Sequence, residues 1–259
     1  MQKPQAIHPF LSPDLPRIFA HRGFAGSDGV SENTVEAFRA ALALGATHIE
    51  SDIQVTKDGE PVLFHDDDLL RVAGLPRKIK HLTLSELSKI ELIDGGRIPT
   101  LREVFTALPA ARFNLDLKVW EAVRPTVELI RELDVEGRVL LTSFSDKRRG
   151  QAVAALGGRV VSSAGTGRVL GLWLASKFRM HRLIKRLAKP VQALQVPVGK
   201  GPIRFDSPAF MTQMTEAGLE LHYWTINEPS EMLRLISLGA QGIVTDRTDL
   251  AVKTLRNAS

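Results

Sequence analysis

Cysteine is absent from the 259 residues, which excludes disulfides, zinc–thiolate sites, iron–sulfur clusters and thiol nucleophiles together. A serine nucleophile, a metal held by carboxylates and histidines, and plain acid–base chemistry stay open. Long hydrophobic runs are missing too. The opening stretch carries Pro4, Pro9, Pro13 and Pro16 without an apolar run of signal-peptide length, so residues 1–16 read as an extended N-terminal arm. The most apolar window elsewhere, 169–175, is interrupted by Gly171 and falls far short of the ~20 residues of a membrane span. A cytoplasmic protein is the expectation. Acidic residues are missing from one long stretch: positions 147–204 hold 13 Lys or Arg and no Asp or Glu, while the rest of the chain holds 21 basic and 29 acidic side chains. The net charge of +5 is therefore a local excess.

What is present is a chain 44% apolar and 24% charged, enough to bury a large core. Short β-branched or apolar runs recur at 18–21, 48–53, 62–65, 113–117, 139–142, 160–163, 193–196, 221–226 and 242–245. Helical patterns lie between most of them, at 34–44, 100–108, 123–133, 147–156, 208–217 and 230–238. Such alternation predicts βα units and a parallel sheet. Nine strands are one too many for a closed eight-stranded barrel, and residues 56–60 resolve the count. They are too few for a parallel crossover, and the Asp58-Gly59 pair signals a hairpin, so 62–65 returns beside strand two. Eight parallel strands remain, predicting an α/β fold of the (β/α)8 TIM-barrel type, with residues 17–259 as a single domain.

Catalytic groups in such a barrel gather at the C-terminal ends of its strands. Strand one ends in His21, Arg22 and Gly23. Strand two carries Glu50 and Asp52, two residues apart and so on one face of the pleat. The return strand brings His65 and Asp66, and the third barrel strand supplies Asn114, Asp116 and Lys118. Three carboxylates with open positions suit a hard divalent cation such as Mg²⁺ or Ca²⁺. Such a cation, with Arg22 and Lys118, neutralises a phosphate, and two histidines on opposite sides of it serve as base and acid. The set describes phosphodiester cleavage. Any one of these residues alone reads more plainly as a paired structural group; all of them at predicted strand ends is harder to obtain by accident.

The same residues form an ordered series: His21-Arg22-Gly23, Glu32-Asn33-Thr34, Glu50-Ser51-Asp52, Asp58-Gly59 before His65-Asp66, Ile98-Pro99-Thr100-Leu101, Asp116-Leu117-Lys118, Trp224-Thr225-Ile226-Asn227 and Gly242-Ile243-Val244-Thr245-Asp246. With it the chain resembles the glycerophosphodiester phosphodiesterase family from about residue 17 to residue 250. The resemblance implies an enzyme, a metal-dependent hydrolase releasing glycerol 3-phosphate and an alcohol. It implies His21 and His65 as the catalytic pair, Glu50, Asp52 and Asp116 as metal ligands, and Arg22 and Lys118 as phosphate-binding cations. Trp224 is similar to the aromatic that lines the glycerol side of the pocket. One divalent cation is implied, Ca²⁺ or Mg²⁺, with Mn²⁺ a further candidate, and residues 69–97 correspond to a small insertion over the barrel mouth. The third metal position is usually Glu in the family. Asp116 is one methylene shorter, a change that adaptable Ca²⁺ accommodates better than Mg²⁺.

Several residues have plainer roles. Asn33 is placed to cap the first helix, with Glu36 completing a capping box. Asp66 and Asp246 read as supporting or turn residues, and His222 as a satisfied interior histidine. Residues 168–189 read as one two-faced helix, with Val169, Trp173, Met180, Leu183, Ile184 and Leu187 on one side and Arg168, Arg179, Arg182, Lys185, Arg186 and Lys189 on the other. That helix is expected to pack by its apolar stripe and present a solvated basic face. Its other readings are peripheral contact with an anionic membrane, which suits a lysophospholipase D acting on lysophospholipids, and electrostatic steering of small glycerophosphodiesters. A nucleic-acid partner is not expected, because neither a binding motif nor an aromatic platform is present. A sphingomyelinase D-like enzyme shares the histidine and carboxylate logic, but a cysteine-free chain without a signal peptide is unlike it. The remaining alternative, a non-catalytic phosphodiester-binding barrel, has no physical reason to keep both histidines and all three carboxylates.

Overall fold

In the computed structural model, which describes residues 8–25 and 29–256, eight parallel strands form the barrel. They are β1 (Arg17–His21), β2 (His48–Val55), β3 (Phe113–Leu117), β4 (Val139–Thr142), β5 (Val161–Ser162), β6 (Ala193–Val196), β7 (Glu220–Tyr223) and β8 (Gly242–Thr245). Hydrogen bonding runs β5-β4-β3-β2-β1-β8-β7-β6. A parallel bridge from Ser163 to Ala193 closes the ring, so the fold is the expected (β/α)8 TIM barrel. The expected return strand is Pro61–Leu63, antiparallel to β2 with Leu63 opposite Ile53.

The period of two along each strand decides what faces where. In β2, Ile49, Ile53 and Val55 pack outward against the helical layer, while Glu50 and Asp52 point into the barrel. The outer layer is α1 (Val35–Leu44), α2 (Leu101–Ala107), α3 (Val123–Glu132), α4 (Asp146–Ala155), α5 (Thr166–Lys177), α6 (His181–Ala188), α7 (Pro208–Glu216), α8 (Pro229–Ser237) and α9 (Thr248–Arg256). The cap of α1 is Thr34, whose hydroxyl accepts from the Ala37 N–H, and not Asn33 as expected. Asn33 instead takes a left-handed backbone (φ 58°) and accepts a 2.6 Å hydrogen bond from the buried Ser51 hydroxyl.

The floor of the barrel is supplied by the chain that precedes β1. Residues 1–7 of the expected extended arm lie outside the described residues; Pro9–Leu11 is a turn of 3-10 helix rather than extended chain. Phe10 is fully buried with Phe19, Leu140, Val161 and Val244. The ring of His48 stacks on Phe19 at 4.5 Å, lies 4.5 Å from Phe10, and its Nε2 donates to the Phe10 carbonyl. Arg17 ties the arm down by donating to the Pro13 carbonyl (2.7 Å) and to Glu220 (2.8 Å).

Two further segments add to the barrel. The insertion over 69–97 has its own small core, in which Leu69, Ile79, Leu82 and Leu87 pack on Val62 and Phe64 of the hairpin. None of its residues is among those lining the central cavity, while its Arg71 reaches Glu32 and Asp66. The expected continuous helix over 168–189 is two helices, α5 and α6, packed on each other. Arg179 adopts a left-handed conformation (φ 51°), with the Arg179 N–H on the Ser176 carbonyl and the Met180 N–H on the Ala175 carbonyl. This is a Schellman stop with arginine where glycine is usual. Among the described residues, no helix is long and apolar enough to cross a membrane.

Candidate active site

A cavity of about 310 Å³ opens at the C-terminal end of the barrel, and all eight expected site residues line it: His21, Arg22, Glu50, Asp52, His65, Asp116, Lys118 and Trp224. Strand register assembles them. His21 is paired with Glu50 across β1 and β2, and Asp52 with Asp116 across β2 and β3. Arg22 and Gly23 both take left-handed backbone (φ 58° and 86°), turning the chain sharply off β1. A Cβ on Gly23 would lie 2.8 Å from the Ala37 carbonyl carbon, so glycine alone lets this loop cross α1.

Each histidine is held from behind by a carboxylate. His21 Nδ1 donates to Asp246 Oδ1 at 2.6 Å, and its Nε2 lies 3.9 Å from Glu50 Oε2. His65 Nδ1 donates to Asp66 Oδ1, also at 2.6 Å. Because a carboxylate can only accept, Nδ1 carries the proton in both rings and Nε2 is the atom left for chemistry. Burial lowers the basicity of His21, but the Asp246 hydrogen bond and the Glu50 charge outweigh it and hold the pKa above its ordinary value. Asp246, bonded to that imidazole, is held below the usual carboxylate range.

The carboxylates sit in an environment that disfavours their charge. Burial, reinforced by Asp52, pushes Glu50 up to about 8, and burial also raises Asp116. Lys118 places its Nζ 2.7 Å from Asp52 and 2.8 Å from Asp116, and these two charges raise its pKa against the effect of burial. Arg22 donates to Glu32 at 3.0 Å, with its Nε 3.5 Å from Asp52. Among the described residues, no three His, Asp or Glu side chains stand ready to hold a metal ion; Lys118 takes the place between Asp52 and Asp116. The donor set nevertheless fits a hard cation. Glu50 Oε2, Asp52 Oδ2 and Asp116 Oδ1 are buried without hydrogen-bond partners, as is Asn114 Oδ1.

Some participants were not legible in the sequence. Arg71, from the insertion, donates to both oxygens of Glu32 (2.6 and 3.1 Å) and to Asp66 Oδ2 (2.7 Å), linking the groups behind Arg22 and His65. Its five-residue offset from Asp66, over a two-residue strand and the start of a short helix, gives no periodic signal. Phe144 lies edge-on to Trp224 at 6.3 Å and lines the same cavity, following β4 in a loop whose direction periodicity does not reach. His222 is the satisfied interior histidine expected, fully buried with Nε2 3.1 Å from Glu220.

Residues 21–250 match the Glycerophosphoryl diester phosphodiesterase family. The probable glycerophosphodiester phosphodiesterase 2 of Mycobacterium tuberculosis is 38% identical over 231 residues, 89% of this chain and 87% of that protein. A glycerophosphodiester phosphodiesterase of Caldanaerobacter subterraneus subsp. tengcongensis is 30% identical over 254 residues, 92% of this chain and 97% of that one. Among solved structures, an Oleispira antarctica phosphodiesterase in complex with the product sn-glycerol-3-phosphate matches with a TM-score of 0.73 at 24% identity, over 93% of this chain and 96% of the other. That last likeness is one of fold.

Proposed function

Since the chain belongs to the glycerophosphoryl diester phosphodiesterase family and is an enzyme of that class, we propose that it cleaves glycerophosphodiesters to glycerol 3-phosphate and an alcohol by metal-dependent, two-histidine catalysis. The observation that carries the reading is the pair of imidazoles in one cavity, each fixed at Nδ1 by its own carboxylate with Nε2 left free for the substrate. One histidine removes a proton from the attacking oxygen, of water or of the substrate's own glycerol hydroxyl. The other protonates the departing alcohol oxygen as its bond to phosphorus breaks.

Glu50, Asp52 and Asp116 would hold Ca²⁺, Mg²⁺ or Mn²⁺, which when bound supplies positive charge to the phosphate oxygens. Arg22 and Lys118 present further cationic donors to the same oxygens. Trp224 and Phe144 offer an apolar wall to the glycerol side. A second substrate class, the lysophospholipids, is supported by the extent of that wall, to which Val169, Val196 and Phe205 also contribute.

The test is turnover by metal-stripped enzyme given Ca²⁺, Mg²⁺ or Mn²⁺, against a panel of glycerophosphodiesters and lysophospholipids. Metal-dependent release of glycerol 3-phosphate or lysophosphatidate is expected. His21→Ala and His65→Ala, both folded, are each expected to lose ~10²-fold or more in kcat. Wild-type turnover by both variants would overturn the mechanism.

A further inference from the structure

Phe178 is 74% exposed and ends an apolar stripe for which packing gives no reason. Leu170, Leu174 and Phe178 follow one another at intervals of four along α5 and its terminal turn, and so share a face, with Met180 beside them. All four are exposed, whereas Leu172, Ala175 and Ser176 bury the opposite face. Trp173, Leu183 and Leu187, expected on the apolar side of a single helix, pack against the core. The face left bare is therefore a different one.

Its surroundings are cationic and, among the described residues, without ion pairs. Four exposed arginines elsewhere have carboxylate partners: Arg71 with Glu32, Arg102 with Glu132, Arg124 with Glu128 and Arg247 with Asp249. Lys177, Arg179, Arg182, Lys185 and Arg186 are exposed with no carboxylate partner among the described residues. The stripe also begins at the cavity. Thr166 and Val169 in the first turn of α5 line it, and the Thr166 N–H donates to the carbonyl of Phe144, a cavity residue that is 60% exposed.

We infer that this face seats the enzyme on an anionic lipid bilayer, with Leu174, Phe178 and Met180 in the interface and the surrounding cations on lipid phosphates. A polyanion such as nucleic acid would use the cations but leave the four bare apolar side chains without a role; a bilayer interface uses both. The seat rests on the diesterase reading only for its purpose, which is to open the mouth beside lipid-borne substrates.

The test is co-sedimentation of the full chain with phosphatidylcholine vesicles, with and without about one-third phosphatidylglycerol. Binding to the anionic vesicles at low salt should exceed binding to phosphatidylcholine alone by about tenfold or more, and should weaken as salt is raised. Leu174→Ser with Phe178→Ser should weaken it about tenfold, and Arg182→Glu with Arg186→Glu more strongly. Both double variants should turn over a water-soluble glycerophosphodiester as the wild type does. Absence of binding to anionic vesicles overturns the inference, as does binding that the serine variant leaves intact or a preference for duplex DNA at the same salt. Vesicle binding by an enzyme inactive on soluble diesters supports this surface and counts against the proposed reaction alone.

Discussion

Nη2 of Arg71 lies 2.6 Å from Oε1 of Glu32, and the same guanidinium donates from Nε to Asp66. One side chain of the insertion thus braces the partner of Arg22 and the partner of His65. Arg71→Ala should lower kcat by about tenfold to hundredfold, because both cavity groups lose their fixed orientation. Arg71 is half exposed, so stability should fall by less than about 1 kcal/mol. Arg71→Lys, which keeps the charge but not the fork, should recover only part of kcat. A loss of activity that tracks loss of thermal stability across the two variants would refute the bracing role.

Lys118 contributes the positive charge between Asp52 and Asp116. Lys118→Met leaves two neighbouring buried carboxylates without it, and should lower the stability of metal-stripped enzyme by about 2 kcal/mol. A saturating divalent cation should restore more of that loss than it adds to the wild type. Thermal unfolding with chelator and with Ca²⁺ or Mn²⁺ reads both effects. Equal cation-induced shifts in the two proteins would show that lysine and cation do not answer the same need.

The floor histidine predicts an acid-sensitive fold. Burial is the chief cause holding His48 down to about 3 in the folded chain, whereas it is ~6.5 when unfolded. The unfolded state takes up the proton first, so the contribution of a neutral His48 is complete above ~6.5 and is lost as pH falls toward 3, at about 1.4 kcal/mol per pH unit. Urea unfolding at pH 7 and pH 5 should differ by about 2 kcal/mol from this residue. In His48→Gln the drop should be smaller by that amount, though the variant is less stable at pH 7. Parallel pH profiles for the two would remove His48 as the cause.

The barrel and most of its site could be read in the sequence because both rest on short-range regularity. Period-two strands place Glu50 and Asp52 on one face, and polar residues where apolar ones are due, such as Asp116 between Leu115 and Leu117, announce an inward-facing site. What escaped depends on contacts without a period. Asn33 and Thr34 are both good caps, and the buried Ser51 hydroxyl, eighteen residues on, recruits Asn33. Arg179 ends α5 in a conformation that sequence preference reserves for glycine or asparagine, so 168–189 read as continuous. Arg71 meets Glu32 from 39 positions further along the chain.

Phe10 and the His48 ring make the barrel a vessel with a base. In the proposed reaction, substrate and both products would then share the opening at the C-terminal end of the barrel. The alcohol would clear the rim before a glycerol 3-phosphate held by Arg22 and Lys118 could follow it out. Under that reading the rim, where Phe144 and the first turn of α5 stand, would set an order of departure that a tube open at both ends would not impose.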